Sequence, residues 1–85
     1  MANLETDFNQ LVREFVWNCG DADAAFNSYF DVMGYDEEEC DMDEIADFLT
    51  QLENNTSAVE IALKYGELAA KTGNPSYIDE GKALI

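Results

Sequence analysis

Residues 41–52 read Asp41-Met42-Asp43-Glu44-Ile45-Ala46-Asp47-Phe48-Leu49-Thr50-Gln51-Leu52. Met42, Ile45, Ala46, Leu49 and Leu52 recur at helical spacing and form one stripe, with carboxylates on the faces between. Asp41-x-x-Glu44 has the form of a capping box, and Asp36 offers an alternative start one turn earlier. Acids in that first turn also face the positive end of the helix dipole. This stretch therefore predicts an amphipathic helix with an unusually acidic outer surface.

The same period extends in both directions. Upstream, Ala22, Ala25, Phe26, Tyr29, Phe30 and Met33 make a stripe that Asp21 can cap and Gly34 can end. Before it, Leu4, Phe8, Leu11, Val12, Phe15 and Val16 predict a helix of about four turns, with Asn3 as N-cap and Gly20 as stop. Downstream, Asn54-Asn55 breaks the pattern and Ser57-x-x-Glu60 is a second capping box. Ala58, Ile61, Ala62, Tyr65, Leu68, Ala69 and Thr72 then continue to Gly73. Asn74 can cap a short last helix with Pro75 at its first position. No segment alternates with period two, and β-branched residues are sparse. The expected fold is all-α: one domain over residues 1–85, a compact bundle of four to five short helices.

Charge narrows the function. The 85 residues carry 19 acids, four bases and no histidine, a net charge of −15. Phosphate binding needs Lys and Arg to displace counterions, so direct contact with nucleic acid or an anionic membrane is not expected. Without histidine there is no ready general base near neutral pH, and an enzyme is not expected. A hydrophobic fraction of 47% with 12% aromatics argues against disorder. Cys19 and Cys40 allow at most one internal disulfide. No basic-then-apolar leader opens the chain and no apolar run is long enough to span a bilayer, so a cytoplasmic protein with reduced thiols is the expectation.

The charge is uneven. Residues 1–53 hold 15 acids and only Arg13, whereas residues 54–85 hold four acids and three lysines. Between Asp21 and Asp47 lie 11 carboxylates and no base. A solvated helix face usually mixes signs, because like charges at i, i+4 cost a few tenths of a kcal/mol. Plain solubility is one explanation, but it could be had at less self-repulsion. The other is a functional acidic face. Carboxylates three or four positions apart sit about 5–6 Å apart on a helix, and phosphates along one DNA strand rise about 3.4 Å per nucleotide. Such rows can present a phosphate-like array to a basic groove.

Length, charge and helical pattern resemble the small acidic inhibitors of phages and mobile elements, the antirestriction DNA mimics and acidic anti-CRISPR proteins. The run Ala25-Phe26-Asn27-Ser28-Tyr29, with Gly34-Tyr35-Asp36-Glu37 and Asp47-Phe48, is similar to acidic helical segments of ArdA-type antirestriction proteins, over about a quarter of the chain. The resemblance implies a partner that is a basic nucleic-acid-binding protein, a CRISPR effector or restriction enzyme, whose DNA site is blocked. Asp21, Asp23, Asp31, Asp36, Glu37, Glu38, Glu39, Asp41, Asp43, Glu44 and Asp47 would then stand in for phosphates. Tyr35, after the Gly34 stop, is the expected aromatic anchor. The alternative is an acidic adaptor or immunity-type module that binds a basic protein without competing with DNA, although the Tyr-Tyr-Pro turn of colicin immunity proteins is missing.

Other chemistries fit less well. A calcium loop starting at Asp36 puts Asp41 at the glycine position and Asp47 where a bidentate Glu belongs. Two thiols 21 residues apart with no histidine cannot complete a zinc site. No metal or cofactor is expected. Ser57 resembles the carrier serine of acyl-carrier proteins only faintly and is expected to be a cap. Trp17 is expected at the core or its edge, and Tyr77, Ile78, Leu84 and Ile85 suggest a homodimer through the C-terminal helices.

Overall fold

The computed structural model describes residues 5–85, which form an all-α bundle. Five helices follow in order: α1 (Phe8–Trp17), α2 (Ala22–Met33), α3 (Met42–Asn54), α4 (Thr56–Thr72) and α5 (Ser76–Leu84), with a 3-10 turn at Glu37–Glu39. Their principal extents are 41 × 25 × 19 Å. The central element is α1, which packs against all four other helices. None of the helices among the described residues is long and apolar enough to cross a membrane.

Side-chain caps set the boundaries. Asp7, Asp21 and Asp41 each accept a hydrogen bond from the amide three residues on, at Gln10, Ala24 and Glu44, and so start α1, α2 and α3. The expected cap Asn3 lies outside the described residues. The Ser57 capping box does not form: Asn55 ends α3, and its side chain accepts from the Ala58 N–H to start α4. One asparagine therefore serves both helices. Gly34 and Gly73 close α2 and α4 in the left-handed conformation, as expected. The first helix ends earlier than expected, at Trp17, and the chain turns through two consecutive left-handed residues, Cys19 and Gly20. Asn74 accepts from the Ser76 N–H, so it caps α5 ahead of its first assigned residue.

Leu11, Phe15 and Val16 of α1 form the centre of the core, with Ala25, Tyr29 and Phe30 of α2, Ile45 and Leu49 of α3, and Ile78 of α5. The contribution of α4 is small side chains: Ala58, Ala62, Gly66 and Ala69 are its buried positions. That ridge lets α1 approach closely. A Cβ built on Gly66 would stand 2.4 Å from the Val16 carbonyl oxygen and 2.9 Å from the Cys19 sulfur. Two long-range hydrogen bonds fasten the start of α1. The buried Tyr29 hydroxyl accepts from the Asp7 N–H (3.0 Å), and Thr6 Oγ1 donates to Glu44 Oε2 (2.9 Å). Glu53 accepts from the Ala22 N–H, joining the end of α3 to the start of α2.

Candidate functional site: an acidic groove beside α3

The N-terminal half of α3 and the first turn of α1 enclose an open groove of about 580 Å³, lined by Phe8, Asp41, Asp43, Glu44, Asp47, Phe48 and Gln51. Four of the expected phosphate-mimicking carboxylates meet there. Asp43 and Asp47 are one turn apart on α3, as are Glu44 and Asp47, so they repeat at about 5–6 Å. Among the described residues the one ion pair joins Arg13 to Asp79, linking α1 to α5 and leaving these carboxylates without a basic partner. The sole base of residues 1–53 thus contributes nothing to neutralising the groove.

The remaining candidates are distributed differently. Asp21, Asp23 and Asp31 lie exposed on α2, while Asp36 and Glu38 are exposed and Glu39 half-buried at the 3-10 turn. None of them lines the groove. The Glu37 side chain lies outside the described residues. Asp21 and Asp41 also cap helices, so each has a structural task whatever it binds.

Tyr35 departs from expectation. Its ring is half-buried and packs against the core instead of standing free among the carboxylates. It borders a second depression, with Glu5, Thr6, Asp7, Phe8, Asn9 and Met33. The aromatic group at the acidic groove is instead Phe8, 41% exposed and in edge-to-face contact with Phe48 at 4.9 Å between centroids. In the sequence Phe8 belonged to the core stripe. Because α1 begins at Phe8, its ring sits at the rim of the bundle. Trp17, at the other end of α1, is also substantially exposed, at 40%.

Neither thiol is poised for reaction. Burial pushes the Cys19 thiol up, helped by the charge of Glu67, and burial then Glu39 do the same for Cys40. Higher pKa means less thiolate at neutral pH. Among the described residues no group of His, Cys, Asp and Glu is arranged to hold a metal ion.

Glu14 is the one buried acid, outside the groove. Burial raises its pKa, against the hydrogen bond from Gln10 Nε2 (2.7 Å) and the nearby charge of Arg13. The fold therefore favours the protonated acid. Its stabilising contribution is fully present at pH values below the ordinary carboxylate range and is lost as pH rises through the raised value. Glu14→Gln should raise Tm at pH 7 and change it little at pH 4. A melting curve that falls equally at both pH values would show that the carboxylate matters by shape and hydrogen bonding alone.

No protein-family model, curated protein or solved structure matches this chain.

Proposed function

We propose that this protein is an inhibitor of the phage or mobile-element type, which occupies the DNA-binding channel of a host defence nuclease. A CRISPR effector or restriction enzyme in the bacterial cytoplasm is the partner we favour. The observation that carries this reading is the groove beside α3, where Asp41, Asp43, Glu44 and Asp47 face solvent without a described basic partner, around the exposed ring of Phe8. A basic channel meeting such a surface sheds bound anions and finds negative charge at spacings of phosphate order, while the opposed potentials speed encounter. Charge alone discriminates poorly. A partly exposed aromatic ring amid the carboxylates supplies the kind of anchor that concentrates binding energy at interface centres.

The test is competition. Labelled duplex DNA bound to purified CRISPR effectors and restriction enzymes should be released as this protein is added, in a manner that weakens with salt. A partner that binds this protein and DNA together, without mutual displacement, would replace the inhibitor reading with that of an acidic adaptor.

A further inference from the structure

The outward face of α4 has a pattern that the acidic half of the chain lacks. Glu60, Leu63, Lys64, Glu67, Leu68 and Lys71 line one shallow groove along it, of about 450 Å³. The four charged residues are exposed, Leu63 is 46% exposed and Leu68 is half-buried. At 100° per residue this stripe points away from the buried ridge of Ala58, Ala62, Gly66 and Ala69, so neighbouring helices leave it open.

The stripe is self-complementary when its direction is reversed. About the midpoint between Tyr65 and Gly66, Glu60 mirrors Lys71, Lys64 mirrors Glu67, and Leu63 mirrors Leu68. Every mirrored pair is therefore either opposite in charge or leucine with leucine. The angular positions agree as well as the sequence positions, because both members of each pair lie equally far to either side of the stripe's centre line. A two-fold axis normal to α4 at that midpoint would bring each residue opposite its complement in a second copy. This is the requirement for an isologous interface. The Glu–Lys pairs at i, i+4 within α4 do not close as ion pairs in the monomer, where Arg13–Asp79 is the one described. Lys64 instead lies over the Tyr65 ring, 5.4 Å from its centroid.

We propose that two copies of this chain associate through antiparallel α4 helices, with the leucines in contact and four Glu–Lys pairs around them. The stripe carries no net charge in a molecule of −15, so the contact falls on a part of the surface that does not itself repel its copy. It shares no residue with the acidic groove, and the dimer would carry two such grooves. The last helix is less suited to the contact than its sequence suggested, since Ile78 is fully buried and Tyr77 half-buried, leaving Leu84 and Ile85.

Sedimentation equilibrium at about 0.15 M salt, where the Debye length is about 8 Å, should show a reversible monomer–dimer equilibrium. Glu60→Lys with Glu67→Lys makes the stripe wholly positive, and Lys64→Glu with Lys71→Glu makes it wholly negative. Each double variant alone should dimerise at least about tenfold more weakly, and an equimolar mixture should recover a heterodimer. The first variant reduces the net charge to −11, so weaker association there cannot come from general repulsion. Circular dichroism confirms folding, and Leu63→Asp, at an exposed position, provides a further disruptive change. A wild-type protein that stays monomeric at its highest soluble concentration overturns the proposal. So does a dimer that persists in both double variants, or a mixture that does not associate.

Discussion

Gly66→Ala should lower Tm by roughly 10–20 °C in thermal unfolding, which for a domain of this size corresponds to about 2–3 kcal/mol. Helix propensity alone gives the opposite sign, since alanine in a helix interior is worth about 0.5–1 kcal/mol over glycine. Packing decides the outcome. The new methyl would stand 2.4 Å from a backbone oxygen of α1, and that oxygen cannot move unless the end of α1 moves with it. Overpacking of this kind typically costs about 1–3 kcal/mol, occasionally more. A domain of 85 residues has roughly 4–13 kcal/mol in all, so a bulkier Gly66→Val should leave little folded protein. An alanine variant that melts higher than the parent would show that α1 does not sit this closely on α4.

The second large effect concerns binding. Reversing Asp43, Glu44 and Asp47 to lysine shifts the net charge by six, from −15 to −9, and replaces attraction in the groove by repulsion. Like-charge contacts across an interface cost several kcal/mol, so displacement of DNA from the target should weaken at least about 100-fold. Asp41 is left in place because it caps α3. Circular dichroism should remain helical, as the three side chains are exposed. Glu80→Lys, exposed on α5, should change little. Undiminished displacement by the folded triple variant would remove the groove from the mechanism, and Phe8→Ala would then lose its rationale as an anchor variant.

Much of the bundle was legible because its signals are local. Asp21, Gly34, Asp41 and Gly73 act within a turn of themselves, and all four take the expected capping positions. The start of α4 was misplaced because two adequate caps lie two residues apart. Asn55 prevails over Ser57 and leaves almost no loop between α3 and α4. The acidic character of α3 was equally plain in the sequence, but the groove was not. It depends on bringing Phe8 against Phe48, a contact no spacing rule announces. For the same reason Phe8 read as core and Tyr35 as anchor, whereas Tyr35 packs against the core and Phe8 stands at the groove. The mirrored stripe of α4 could have been found by writing its exposed residues backwards, once its buried face was known.

The position of α1 at the middle of the bundle has a consequence during synthesis. Its apolar face, with Leu11, Phe15 and Val16, is covered from several sides, including by α4 and α5. Those covering helices are translated last, so the face stays incompletely sheltered for several seconds at about 5–20 residues per second. The base-free stretch from Asp21 to Asp47 emerges in that interval. Its carboxylates give every partly made chain a strong like charge, which holds neighbouring nascent chains on a polysome apart while their hydrophobic faces wait to be covered.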